Sequence, residues 1–446
     1  MALPADSTDT PVVTGERPLA PDVLLTFGSK VTILVLNALG TIVVARALGP
    51  SGRGAVAVGF SFSLLLVQFG SLGLQSANPY FVARRPSSIG IVILNTIWGS
   101  LAIGAALIVA ALLAKALIPA SLSGLDWVDV IVLAAGVPAI LATQLVQSVF
   151  LAEGRMRAYN GVELAGNAAA FTALVVGLGL LHIGVLGAIV VMVSANWAMA
   201  LTFLALQSAH IVRIEGPDLG LFVRMLKYGF RVYVTTFIAF LVARINLILV
   251  DSHLGPAQAG RYSIGLAIME GISVLPLVAA VNLFPRIARG APFESSAVLF
   301  RTLCLFYGAI CLLTIPLAGP AIDLLYGARF SEATQIYYWM LPGIFCYGMI
   351  HVLSYHFAGR GFPLEAVLVW LPGMIINLVI VGILLPGHGA HIAALASSLA
   401  YIIVLLLHMR LFAKEAGGYR ALTPRGREFV ALTRMILHDL SPTGRS

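Results

Sequence analysis

Four residues stand out because they carry charge or amide groups inside otherwise apolar segments: Lys30, Asn37, Arg244 and Glu270. A charge within a membrane span is costly and marks a functional site by default. Arg244 lies about ten residues before a Gly255-Pro256 turn, or about 15 Å at helical rise, near a bilayer midplane where snorkelling helps least. Two compatible roles stand for it: facing a hydrated cavity, or pairing with Glu270 on the next span. Lys30 lies about 20 residues before the matching Gly49-Pro50 turn, about 30 Å along a helix and close to the opposite rim. It either faces the same cavity or snorkels to lipid headgroups. Asn37, seven residues later, shares its helix face. Asp251 and Arg261 flank the second turn and are expected to form a rim pair.

The remaining polar positions have plainer readings. Gln68 and Gln75, and Gln144 and Gln147, are amides that join neighbouring helices. Glu163 and Asn167 sit near a span end. Cys304, Cys311 and Cys346 lie in apolar segments and are packing residues. Gly49 to Gly54 is glycine-rich but lacks the Lys-Ser/Thr of a phosphate-binding loop, which argues against ATP-driven transport by this chain alone. No His, Cys, Asp and Glu grouping has metal-ligand spacing, and no cofactor is expected.

The elements that hold these residues are membrane helices. The 446-residue chain is 59% hydrophobic and 10% charged, against about 25% charged in soluble domains, and its mean hydropathy is +0.97. Residues 164–212 contain no Asp, Glu, Lys or Arg. Apolar windows predict about twelve spans near 23–47, 54–82, 88–117, 127–152, 158–181, 185–211, 226–251, 257–287, 297–321, 333–358, 363–385 and 390–412. The two Gly-Pro turns belong to an internal repeat. Leu48-Gly49-Pro50 with Gly54 and Gly59 returns as Leu254-Gly255-Pro256 with Gly260 and Gly265, at an offset of 206. Gly154-Arg155 returns as Gly359-Arg360 at an offset of 205. Six spans per copy predict two parallel halves related by an axis along the membrane normal, with a site between them.

The organisation follows. A polar tail (1–21) precedes a six-helix bundle (22–212). A linker (213–220) with Glu215-Gly216-Pro217-Asp218 leads to a second bundle (221–413) and a basic tail (414–446). In that tail Thr423 and Pro424 can start an amphipathic helix over Phe429, Val430, Leu432, Ile436 and Leu437 that lies on anionic lipid; a solvated tail is the other reading. The net charge of +8 comes mostly from arginine. Of 27 Lys and Arg, twenty fall on the side that carries both termini and the linker and five on the other, so the termini are expected in the cytoplasm. Such charge meets anionic lipid rather than nucleic acid. No connecting loop is long enough for a soluble catalytic domain, so the chain is not expected to be an enzyme.

The run Ala45-Arg46-Ala47-Leu48-Gly49-Pro50-Ser51-Gly52-Arg53-Gly54 resembles the polysaccharide transporter family, the Wzx-like flippases of the multidrug/oligosaccharidyl-lipid/polysaccharide exporter superfamily. Leu254-Gly255-Pro256 with Gly260-Arg261-Tyr262-Ser263 is similar to that family's turn between spans 7 and 8. Asp323-Leu324-Leu325-Tyr326-Gly327-Ala328-Arg329-Phe330 resembles its short motif before span 10. The resemblance implies an all-α, MATE-like fold of two bundles in a V around a central cavity, in a bacterial cytoplasmic membrane. It implies alternating access that turns an undecaprenyl-pyrophosphate-linked oligosaccharide from inner to outer leaflet, with polysaccharide polymerase and glycosyltransferases as partners. Lys30 and Arg244 are the residues that match the role of pairing with pyrophosphate. The chain departs from lipid II flippases of the superfamily in lacking two further helices. A cation-coupled multidrug antiporter of the same fold is the alternative, with Glu270 as the deep carboxylate. A polyprenyl-sugar transferase or polymerase is disfavoured by the short outer loops.

The charge asymmetry makes a direct prediction. A reporter active only in the cytoplasm should be active when fused after Pro217 and inactive when inserted at Ser123; the reverse pattern inverts the topology.

Overall fold

In the computed structural model, residues 19–84, 89–211, 216–361 and 364–423 are described. Among them every regular element is helical: α1 (Leu19–Ser71), α2 (Leu74–Arg84), α3 (Ile89–Leu117), α4 (Trp127–Ala152), α5 (Met156–Gly179), α6 (Val185–Ile211), α7 (Leu219–Leu254), α8 (Pro256–Ala288), α9 (Phe293–Tyr326), α10 (Glu332–Gly359), α11 (Leu364–Leu368), α12 (Trp370–His388) and α13 (His391–Ala416). Eleven helices are long and apolar enough to cross a membrane. The first of these makes two passes. It is broken at Gly49 (φ 68°, ψ −173°), and Thr41 before the break lines the same cavity as Phe60 and Leu64 after it. A continuous helix would hold Thr41 and Ser61 about 30 Å apart. The protein is therefore a multi-pass membrane protein of twelve passes in two six-helix halves.

Two expected spans are interrupted. The second breaks between α1 and α2, where Leu72 (φ 45°) and Gly73 (φ 79°) both take left-handed backbone. The eleventh divides into α11 and α12. The amphipathic helix expected after Thr423 lies outside the described residues.

The repeated turns share one construction. Gly49 and Gly255 (φ 82°, ψ 173°) end their helices in a conformation that side chains disfavour. Pro50 and Pro256 then open the next helix, where a missing N–H costs nothing. The turns meet across the molecule. A Cβ on Gly54 would stand 1.8 Å from the Pro256 carbonyl oxygen, and one on Gly260 would stand 2.0 Å from that of Pro50. Each turn therefore seats its carbonyl against the glycine of the other, a reciprocal contact that follows the repeat.

Polar contacts extend this junction. Asp251, at the end of α7, accepts hydrogen bonds from the Ser123 backbone N–H (3.0 Å) and hydroxyl (3.1 Å) in the loop after α3. That loop is itself held by Lys115, which donates to the carbonyls of Leu122 and Leu125 at 2.9 and 2.7 Å. Arg46, at the end of the first pass, donates to Leu325 O at 2.7 Å and to Leu324 O at the end of α9. The expected rim pair is thus corrected. Asp251 bonds Ser123 in the other half, while Arg261 pairs with Glu332 (3.2 Å) at the start of α10. The reversal at Gly255-Pro256 sends the two side chains to different neighbours.

Inside each half, α4 packs against α3 and α6, and α10 against α8 and α13. Val137, Leu141 and Leu145 of α4 and Ile344, Met349 and Leu353 of α10 are buried. Leu312, Leu313 and Ile383 are exposed, as a lipid-facing surface requires. Tyr337 is buried and hydrogen-bonded to Thr314, while Tyr338 and Trp339 are exposed.

The Gly-Pro contact admits no side chain, so Gly260→Ala must part the turns. In a background with Cys304, Cys311 and Cys346 replaced, Ser123→Cys and Asp251→Cys should crosslink readily. Adding Gly260→Ala should reduce that yield several-fold; an unchanged yield would show that the turns part without consequence.

Candidate functional site

Beneath the joined turns lies a cavity of about 140 Å³ between the halves. The first half contributes Thr41 from the first pass and Arg53, Ala57, Phe60, Ser61 and Leu64 from the second. This spacing repeats every three or four residues and is one face of a helix. The second half contributes Arg244 and Leu247 of α7 and Ser263, Ala267 and Glu270 of α8.

Arg244 Nη2 lies 2.6 Å from Glu270 Oε1. The Arg244 guanidinium also sits 5.9 Å from the centre of the Phe240 ring, one turn along α7. The Arg244 side chain is 23% exposed and that of Glu270 is 45% exposed. The carboxylate thus opens onto the cavity while it neutralises one arginine. Both readings of Arg244 hold together: a paired charge at a cavity wall.

The second cation is Arg53. Its Nε is buried and has no hydrogen-bond partner among the described residues. A buried donor of this kind is costly unless a ligand or water meets it. Two arginines, one from each half, therefore share a cavity with one carboxylate. The predicted spans 23–47 and 54–82 leave Arg53 in the turn between them, outside the membrane. The helical spacing from Arg53 to Leu64 was the available signal.

Lys30 is placed elsewhere. Its Nζ lies 2.7 Å from both carboxylate oxygens of Glu163 and 2.9 Å from Tyr159 Oη on α5. It is held within its own half and is not joined to Arg244 and Glu270. Asn37 is exposed, and its carbonyl accepts from Thr41 Oγ1 at 3.0 Å. Thr41, one turn nearer the Gly-Pro end, is the residue of that pass that reaches the cavity.

A buried amide cluster fixes α7 two residues beyond Arg244. Asn246 and Asn377 of α12 exchange hydrogen bonds at 2.8 Å, and Asn246 Nδ2 also reaches Ser397 Oγ of α13 at 2.8 Å. Asn246→Leu should leave Asn377 unpaired and lower thermal stability by about 1 kcal/mol. The double variant Asn246→Leu/Asn377→Leu should recover part of that loss in a detergent melting assay; a purely additive loss would deny the coupling.

Comparison with known proteins supplies the wider setting. The family model described as "Polysaccharide biosynthesis protein" matches residues 19–291. No curated protein sequence matches the chain at a significant level. Among solved structures, a lipid II flippase MurJ in an inward closed conformation aligns with TM-score 0.71 at 16% identity, covering 96% of this chain and 94% of that one. An inward-facing multidrug resistance MATE family transporter of the MOP superfamily aligns with TM-score 0.68 at 14% identity, covering 86% and 95%. The MATE multidrug transporter DinF-BH gives 0.65 at 16% identity, covering 88% and 95%. These likenesses show the fold, which is MATE-like, as the resemblance to the polysaccharide transporter family implies. The chain belongs to the polysaccharide biosynthesis protein family.

Proposed function

We propose that this protein turns a lipid-linked oligosaccharide, of the undecaprenyl-pyrophosphate type, from the inner to the outer leaflet of a bacterial cytoplasmic membrane by alternating access. The observation that carries this reading is the pair Arg53 and Arg244, one from each half, in a cavity whose one carboxylate is already engaged by Arg244. That leaves net positive charge and an open guanidinium donor in a low-dielectric setting, where a pyrophosphate is a fitting counter-charge.

Family membership and the two-half fold support the reading. In it, the end of the molecule with the linker and both termini is cytoplasmic, and the joined Gly-Pro turns close the outer side. Anionic lipid meets the arginines of the cytoplasmic loops. Glycosyltransferases stand upstream of the inversion step and polysaccharide polymerase downstream of it. The chain itself performs no bond chemistry.

The test is leaflet inversion of a fluorescent polyprenyl-pyrophosphate oligosaccharide in proteoliposomes. Wild type should invert it. Arg53→Ala and Arg244→Ala should each slow inversion by about tenfold or more, the scale of one lost charge-assisted hydrogen bond. If wild type inverts nothing while a proton gradient drives expulsion of a small cationic dye, the antiporter reading replaces this one. Glu270→Gln then becomes the informative variant.

A further inference from the structure

A second cavity, of about 170 Å³, lies on the linker side of the cationic one. Its walls are Gln68, Ser71, Gly73, Gln75 and Ser76 of the second pass, and Tyr233, Thr236 and Phe240 of α7. None of these carries a charge. Their amides and hydroxyls both donate and accept hydrogen bonds, and the rings of Tyr233 and Phe240 add flat apolar faces. The set suits a ligand with many hydroxyls and apolar ring faces but no charge of its own.

Two further observations point to a ligand. The first is the break in the second pass. Leu72 and Gly73 leave the helical backbone at the cavity wall, and Leu72 is a side-chain-bearing residue at positive φ. Non-helical backbone at membrane depth is sustained where it lines a polar cavity, and interrupted helices form the binding sites of many transporters. The second is the state of the polar groups. Some are spent inside the protein: Gln75 Nε2 donates to Gln144 Oε1 at 2.6 Å, and Ser71 Oγ to Gln68 O at 3.0 Å. The side chains of Gln68, half-buried, and Ser76, exposed, are by contrast not engaged in these bonds.

One residue of the uncharged cavity lies close to a cation of the other. Phe240 lines the uncharged cavity, and its ring lies 5.9 Å from the Arg244 guanidinium. On the far side the halves close again. A Cβ on Gly73 would stand 2.1 Å from Gly229 O, and the rings of Tyr80 and Tyr228 stack at 4.1 Å.

We infer that this cavity is the sugar subsite: it holds the first neutral sugar residues of the substrate by Gln68, Ser76 and the Tyr233 and Phe240 rings, while Arg53 and Arg244 hold the pyrophosphate. The inference rests on the lipid-linked reading above, and its test separates the two. Purified protein in detergent is titrated with undecaprenyl pyrophosphate alone and with undecaprenyl pyrophosphate carrying glucose, galactose or N-acetylglucosamine. Wild type should bind at least one glycosylated lipid about tenfold more tightly than the sugarless one, the worth of one or two added hydrogen bonds. In Gln68→Ala/Ser76→Ala that ratio should fall toward one. In Arg244→Ala both affinities should drop while the ratio persists. Equal wild-type affinity for all four lipids overturns the subsite and leaves the flippase reading standing. Binding of none of them overturns both.

Discussion

The structure depends on a contact with no side chain in it. Pro50 and Pro256 present their carbonyl oxygens to Gly260 and Gly54, at distances that leave no room for a methyl group. Backbone approach of this kind is open only to glycine, and in a membrane small residues at an interface let helices close without a hydrophobic drive. Because the contact is reciprocal, neither half can move at this end without the other. The bonds from Ser123 to Asp251 and from Arg46 to the end of α9 join the halves close to it.

The contact also sets the electrostatics below it. Arg53 stands one residue before Gly54, so the seating of Gly54 against Pro256 fixes where that guanidinium enters the cavity. Arg244 stands eleven residues before Gly255 on a helix pinned by Asn246 and Asn377. A charge held this way cannot snorkel to a headgroup layer. Arg244 is paired by Glu270, while the Arg53 Nε has no hydrogen-bond partner among the described residues. Lys30 shows the contrast. Near the far rim, it has both Glu163 and Tyr159 and leaves no unmet donor in the cavity.

Much of this was legible in the sequence for definite reasons. Hydropathy gave the passes because each must match one bilayer thickness. The repeat gave the two halves, and depth below a Gly-Pro turn singled out Arg244 and Glu270. What escaped depended on direction around a helix near a chain reversal. Arg53 and Arg261 look equivalent, yet at an offset of 206 Arg53 aligns with Ala259 and Arg261 with Ala55. Two residues along a helix is about 200° of rotation, so one arginine enters the cavity and the other turns to Glu332. The break at Leu72 is marked only by Gly70 and Gly73, glycines that permit bending, since leucine there reads as continued helix.

That break explains why the two cavities have different chemistry. Above it, the second pass keeps a regular helix and presents one face from Arg53 to Leu64 to the cationic cavity. At the break the backbone itself becomes polar surface, and Gln68, Ser71 and Ser76 gather around it without adding charge. Phe240 spans the junction, its ring bordering the uncharged cavity and lying close to the Arg244 cation. On the reading proposed above, the interrupted helix is what sets an uncharged polar cavity beside the one that carries Arg53 and Arg244.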